Sequence, residues 1–148
     1  MTHSFVWEKP TVVCDVRESE WGGFLTEWLP AMKKAQYIAL IGDMGCGKTT
    51  FARSVVEALG GDISLVGSPT FSLKNKYVTA DMDVHHLDLY RMPDTPEEHG
   101  QLFSDLEETD GLVLIEWADR FSSVLALSGM AIRFYFIDLS VRRVHVYI

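Results

Sequence analysis

Three segments of this chain carry patterns that are typical of β-strands. Residues 11–16 are rich in β-branched side chains, and residues 37–41 (YIALI) form a short continuous apolar run. A second continuous run, residues 112–115 (LVLI), ends at the carboxylate of Glu116. Continuous runs of this length indicate strands that are buried on both faces of a sheet. The last two segments are therefore predicted to be central strands.

Apolar residues at helical spacing mark the segments between these strands. After the first strand they recur on one helical face, with Ser19 as the expected N-cap and Pro30 near the end. Residues 49–59 repeat this spacing, and two consecutive glycines end that helix. The polar segment 94–109 is predicted to be helical in part.

Two pairs of β-rich segments predict antiparallel strands. Residues 71–78 and 84–90 flank one polar turn, and residues 130–137 and 141–148 flank a second. Strands joined by a short polar turn are typical of β-hairpins. Buried strands that alternate with helices, together with hairpins, predict an α/β fold with a central mixed β-sheet flanked by helices.

The composition is that of an ordinary globular domain. The chain has 148 residues, of which 47% are hydrophobic, 11% aromatic and 23% charged. These values exclude disordered, collagen-like and disulfide-framework proteins. No linker or internal repeat divides the chain, so we expect a single domain over residues 1–148. The two cysteines, Cys14 and Cys46, are expected to be reduced thiols.

The N-terminal residues and the apolar runs indicate where the protein acts. The segment MTHSFVWEKP has no basic stretch followed by a long apolar one, so it does not resemble a secretory signal. The longest apolar runs fall far short of the roughly 18 residues that span a bilayer. We therefore expect a cytoplasmic protein without a membrane partner.

Charge is spread unevenly along the chain. The net charge is −8, and the segment from Asp81 to Asp119 holds twelve acidic residues against one basic residue, Arg91. A protein that grips nucleic acid by its phosphates would need a basic surface instead. Two interpretations of the acidic segment stay open, a solvated face or a docking surface for a basic protein partner.

The segment 42–49 (GDMGCGKT) matches the phosphate-binding pattern G-x-x-x-x-G-K-[ST] at every fixed position. Small residues let successive backbone N–H groups surround a phosphate, and the positive end of the following helix points at the same anion. In this pattern Lys48 reaches the β- and γ-phosphates, and the Thr49 hydroxyl binds Mg²⁺. The candidate nucleotide-binding residues are Gly42, Asp43, Met44, Gly45, Cys46, Gly47, Lys48, Thr49 and Thr50.

The chain lacks the sequence signals of a GTPase. A guanine-reading N-K-x-D motif would need an aspartate where Val78 follows Asn75 and Lys76, and no D-x-x-G switch follows. ATP is therefore the expected nucleotide.

Glu116 stands where the acid of a Walker B strand stands. Such an acid is carried by the tip of a buried strand to the Mg²⁺ ion beside the phosphates. Next to a complete phosphate loop, we assign Glu116 to the metal together with Thr49, rather than to the solvated surface.

The segment HLDLYR alternates strictly, so His86, Asp88 and Tyr90 should share one face of a strand. His85 points to the opposite face and is expected to be packed or exposed. The polar face is either a catalytic wall or a structural network. In a catalytic wall, Asp88 would orient or deprotonate the attacking water, or hold Mg²⁺ through water.

Four motifs in one order, GDMGCGKTTF, SPTFSL, HLDLYR and LIEWADR, resemble the TsaE (YjeE) family of small bacterial P-loop ATPases over residues 18–120. The resemblance implies an ATPase of the machinery that makes threonylcarbamoyladenosine at position 37 of tRNAs reading ANN codons. It implies TsaD and TsaB as partners, hydrolysis of ATP to ADP that resets their complex, and contact with tRNA only through that complex.

The same resemblance implies roles for individual residues. Thr49 and Glu116 would hold Mg²⁺, and Lys48 and Asp88 would take part in hydrolysis. Thr70 of SPTFSL resembles a switch residue near the γ-phosphate. Trp117 matches the Trp of the family's E-W pair, and it either packs near the nucleotide or belongs to the core.

Two other functions remain compatible with a phosphate loop. In a small-molecule kinase, Asp88 would activate a substrate hydroxyl. In a nucleotide-gated binding module, turnover would be negligible.

Overall fold

The computed structural model describes residues 7–66 and 74–148, which form a seven-stranded sheet with helices on both faces. The strands are β1 (Val12–Arg17), β2 (Tyr37–Ile41), β3 (Lys74–Tyr77), β4 (Val84–Asp88), β5 (Leu112–Glu116), β6 (Met130–Phe136) and β7 (Val141–Tyr147). The helices are α1 (Trp21–Ala35), α2 (Lys48–Ala58), α3 (Pro96–Glu107) and α4 (Ser122–Leu127). The fold class predicted from the sequence is confirmed.

The sheet is mixed, with the order β1-β7-β6-β2-β5-β4-β3. Strand β2 pairs in parallel with β5 and β6, and β4 pairs in parallel with β5. The hairpins β3–β4 and β6–β7, and the pair β1–β7, are antiparallel. The carboxyl ends of β2, β5 and β4 therefore lie side by side at one edge of the sheet.

The two continuous apolar runs occupy the middle of this sheet. All five residues of β5 are buried, and so are the last four of β2. A parallel strand covered on both faces has no solvent-facing position, so its sequence is apolar throughout. The prediction of two central strands is confirmed at both segments.

Side chains of the central strands alternate between two apolar layers. Leu40 and Leu114 pack in the layer that contains Phe51 of α2. Ile115 packs in the opposite layer with Leu106 of α3. Because successive side chains point to opposite faces, residues two positions after Leu114 on β5 return to the α2 side. The last residue of β5 thus faces the helix that follows the phosphate-binding segment.

Helix α1 differs from the prediction at both ends. Ser19 lies within a 3₁₀ turn (Glu18–Glu20), and the N-cap of α1 is Glu20, so Ser19 is not the cap. Pro30 lies inside the helix, which runs five residues further. Proline removes one backbone donor from the helix, but Met32 in the following turn is fully buried, and this packing keeps the helix intact.

The predicted strands around the first hairpin also need correction. Strand β4 ends at Asp88 instead of continuing to residue 90. The Leu89 N–H still donates to the Glu116 carbonyl oxygen, and the Arg120 guanidinium donates to the carbonyl oxygens of Leu89 and Tyr90. Strand β3 begins at Lys74, and residues 71–73 of the predicted strand lie outside the described residues.

The remaining predicted elements appear within two residues of their expected ends. They are the helix at 49–59, the helix within 94–109, and the terminal hairpin. Within residues 7–66 and 74–148, no helix has both the length and the apolar character needed to cross a membrane.

Candidate functional site

The segment 42–47 forms a tight loop between β2 and α2. At Gly47, the N-cap of α2, φ is 105°, a left-handed conformation that favours glycine. At Gly42, a Cβ atom would lie 2.5 Å from the Cys46 sulfur and 2.9 Å from the Phe134 carbonyl oxygen. The glycines at both ends of the motif are thus required by backbone conformation and by close packing.

Lys48, the first residue of α2, is 5% exposed and turns back over the loop. Its Nζ donates a hydrogen bond to the Gly42 carbonyl oxygen and lies 3.5 Å from that of Asp43. The same ammonium sits 4.0 Å from the centre of the Trp117 ring, a cation–π contact. The lysine charge is therefore held directly over the loop by neutral groups.

The other loop residues have different exposures. Asp43, Met44 and Gly45 are exposed at the loop tip, while Thr49 and Thr50 are half-buried in the first turn of α2. Cys46 faces inward and is 3% exposed, and burial raises the pKa of its thiol. Cys14 and Cys46 are both free thiols, as predicted.

Glu116 and Asp88 are the last residues of β5 and β4, and they are paired in register. Glu116 is also paired with Leu40 of β2, two residues before the loop begins. Neighbouring strands lie about 4.8 Å apart, so Glu116 lies one strand spacing from β2, which leads into the loop, and Asp88 lies two spacings away. The HLDLYR alternation suggested a mid-strand position for Asp88, and the structure places it at the strand end instead.

Of the three polar residues that were predicted to share one face of this strand, His86 and Asp88 lie on β4 and Tyr90 lies beyond its end. His86 is fully buried, and its Nε2 is hydrogen-bonded to Oε2 of Glu116. Asp88 is half-buried, and its Oδ1 accepts a hydrogen bond from the Tyr90 N–H at 2.9 Å. His85 is packed on the opposite face, where its Nε2 lies 2.8 Å from the Asp110 carbonyl oxygen.

Trp117 connects the lysine to the end of β4. Its φ of 59° is left-handed, which is uncommon for a bulky residue and indicates local strain. Its ring lies 4.9 Å from that of Tyr90 and contacts the α3–α4 core layer. Trp117 thus belongs to the edge of the core and also touches the phosphate-loop lysine.

Beside the loop lies a small pocket that is open to solvent. It is lined by Glu18, Trp21, Gly47, Thr50, Leu139, Ser140 and Arg142. Sequence reasoning missed this pocket because separate segments of the chain build it, and no local pattern brings them together. Two of the predicted nucleotide-binding residues, Gly47 and Thr50, line it.

Arg142 of β7 contacts the loop, and sequence reasoning did not predict this contact. Its Nε donates a hydrogen bond to the Cys46 carbonyl oxygen at 2.8 Å. Its guanidinium lies 4.7 Å from the centre of the Phe136 ring. The terminal hairpin therefore supports the backbone of the phosphate-binding loop through one side chain.

The oxygen donors at this site suit Mg²⁺. In the described part of the chain, no three His, Cys, Asp or Glu side chains are grouped so as to hold a metal by themselves. Mg²⁺ at phosphate sites is bound through one or two protein oxygens plus phosphates and water. Thr49 and the buried carboxylate of Glu116 match that requirement. Thr70, the candidate switch residue, lies outside the described residues.

Sequence comparisons identify related proteins. A family model described as "Threonylcarbamoyl adenosine biosynthesis protein TsaE" matches residues 17–144. One relative is the Haemophilus influenzae protein named "tRNA threonylcarbamoyladenosine biosynthesis protein TsaE". It is 33% identical over 72% of this chain and 66% of its own length. The Rickettsia bellii protein is 33% identical over 73% of this chain and 74% of its own length. The Bacillus subtilis protein is 37% identical over 58% of this chain and 52% of its own length.

A solved structure has the same architecture. Bacillus subtilis YdiB superposes with a TM-score of 0.66, covering 91% of this chain and 83% of that chain at 22% sequence identity. The likeness shows that the two chains share one fold.

Proposed function

This chain belongs to the TsaE family, and we propose that it is a Mg²⁺-dependent ATPase serving threonylcarbamoyladenosine synthesis in tRNA. The observation that carries the proposal is the grouping of a phosphate loop with two acids. Lys48 lies over the loop, Glu116 ends β5 beside β2, and Asp88 ends β4, the next strand of the sheet. This is the set of groups that phosphoryl transfer to water requires.

Binding of ATP would use the backbone of the loop and the amino terminus of α2. N–H groups of residues 43–49 and the positive end of this eleven-residue helix would surround the β- and γ-phosphates. Lys48 would exchange the carbonyl oxygen of Gly42 for phosphate oxygens. The pocket beside Gly47 and Thr50 would take the ribose and base, since it continues from the loop.

Thr49 and Glu116 would hold Mg²⁺, which neutralises phosphate charge when bound. Asp88 is the candidate base for hydrolysis, because it is half-buried and lies beside Glu116. Its carboxylate would orient a water molecule and accept one of its protons as the oxygen attacks the γ-phosphorus. The bond from the γ-phosphorus to the bridging oxygen breaks, and ADP leaves with the electron pair. The products are ADP and inorganic phosphate.

The role in tRNA modification is supported by the names of the relatives. We propose that TsaB and TsaD are the partners, that hydrolysis resets their complex, and that tRNA is reached only through it. A weak activity of the isolated chain would be raised by these proteins.

The test is to measure phosphate release from Mg-ATP with and without purified TsaB and TsaD of the same source. Release of free phosphate that the partners stimulate supports the proposal. A phosphorylated metabolite would instead make the protein a kinase, and tight binding without turnover would make it a binding module.

A further inference from the structure

A buried histidine, His86, supports the candidate metal ligand Glu116. Glu116 is 4% exposed and His86 is 0% exposed, and the two side chains are hydrogen-bonded to each other. A carboxylate removed from water is costly unless it is paired or hydrogen-bonded. The hydrogen bond with His86 helps to offset the cost of burying the Glu116 carboxylate.

Hydrogen-bond accounting identifies the donor in this pair. An ionised carboxylate only accepts, so the Nε2 of His86 must donate to Oε2 of Glu116. The Nε2 of His86 therefore carries the hydrogen of this bond. The Nδ1 of His86 is buried, and among residues 7–66 and 74–148 it has no hydrogen-bond partner.

The register explains why this bond directs the carboxylate. Glu116 is paired with Asp88, whereas His86 is paired with Leu114, one step back on the same face. The Glu116 side chain thus reaches diagonally from β5 to His86 on the adjacent strand β4. A free glutamate side chain rotates about three bonds, and this contact selects one orientation. With Oε2 occupied by the imidazole, Oε1 is the oxygen left for a cation or its bound water.

We propose that His86 is a positioning residue that presents Oε1 of Glu116 to Mg²⁺ at the nucleotide phosphates. The proposal rests on the proposed function, because it requires that Glu116 serves the metal. Residues that orient a metal ligand typically contribute about 10- to 100-fold to metal affinity. His86 would act through Glu116 and would not touch the nucleotide.

The strand supplies a matched control. His85 is the neighbouring residue, is also buried, and binds the Asp110 carbonyl oxygen on the other face. Replacing either histidine removes a buried imidazole from β4. Only the replacement of His86 removes the support of Glu116.

The experiment measures ADP affinity by calorimetry in Mg²⁺ and in EDTA, together with thermal stability. His86→Leu should lose about tenfold or more of the Mg²⁺-dependent gain in affinity while keeping its affinity in EDTA. His86→Gln, which keeps a side-chain N–H, should recover part of that gain. His85→Leu should lose stability but keep the gain.

Four results would contradict either the positioning role of His86 or the metal role of Glu116. A full Mg²⁺-dependent gain in His86→Leu, or an equal loss in His85→Leu, rules out the positioning role. If Glu116→Gln itself keeps the gain, the metal assignment of Glu116 has failed, and the proposed function fails with it. Should His86→Leu not fold, nitrogen NMR of the unsubstituted protein decides, because a hydrogen on Nδ1 instead of Nε2 contradicts the arrangement.

Discussion

Asp88 and Glu116 stand side by side as the in-register ends of two parallel strands, β4 and β5. Their environments differ, since Glu116 is buried against His86 while Asp88 is half-buried and accepts a hydrogen bond from the Tyr90 N–H. This difference suggests a division of labour, in which the buried acid serves the metal and the more accessible acid serves the attacking water.

Asp88→Asn should separate hydrolysis from binding. The amide keeps an oxygen for the Tyr90 N–H but loses the negative charge. We expect partner-stimulated turnover to fall by about 100-fold or more, with little change in ATP affinity. Phosphate release and calorimetry measure the two quantities. Asp83→Asn, at an exposed ion pair with Lys76, is the control. A loss of ATP affinity in Asp88→Asn would indicate that Asp88 binds the metal. Normal turnover in that variant would indicate that Asp88 has a structural role.

Lys48→Ala should weaken ATP binding by about 100-fold, because two hydrogen bonds to charged oxygens would be lost. The helix should still form, since Lys48 contacts only the loop and the face of Trp117. Calorimetry and circular dichroism measure affinity and folding. Lys34→Ala, an exposed lysine near the end of α1, should leave both unchanged. An unaltered affinity in Lys48→Ala would refute the phosphate-loop assignment.

Arg142→Ala should loosen the phosphate loop from the terminal hairpin. The hydrogen bond to the Cys46 carbonyl oxygen would be lost, and we expect ATP affinity to fall by about tenfold. Arg143→Ala provides a matched control, because its guanidinium points away to Asp15 on β1. If both variants bind ATP equally well, Arg142 does not support the loop.

Cys46 should resist alkylation in the folded protein. Its thiol is 3% exposed, and burial raises its pKa, so less thiolate is present at any given pH than for a free cysteine. Labelling with iodoacetamide should be slow near neutral pH, rise as the pH rises, and become fast on unfolding. The Cys14→Ser variant isolates this signal. Labelling at the rate of a free thiol would show that the loop opens readily.

The acidic face of α3 offers a test of partner docking. Glu107 and Glu108 are exposed at its end. If this face binds a basic surface, reversal of both charges to lysine should weaken association with TsaB and TsaD, more strongly at low salt. ATP affinity should not change. The double variant Glu27→Lys, Glu57→Lys, at exposed positions of α1 and α2, controls for net charge. An association constant equal to that of the unsubstituted protein would restore the solvated-face interpretation.

Local sequence determined most of the elements. Apolar periodicity located the central strands, the helix after the loop and both hairpins, because burial on one face or two leaves a direct imprint on the residue pattern. The phosphate loop could also be predicted from the sequence, since its motif lies within eight consecutive residues, 42–49. Local reasoning was wrong at Ser19, at Pro30 and at the end of β4. At Pro30, packing of the buried Met32 in the following turn outweighed the local preference.

Only the tertiary structure decided which distant groups meet. The sequence placed His86 and Glu116 on two strands, but the strand order β2-β5-β4 made those strands neighbours and the register brought the two side chains together. Arg142 likewise reaches Cys46 across 96 positions of chain. Strand order depends on the summed packing of all elements, so no pattern confined to one segment specifies it.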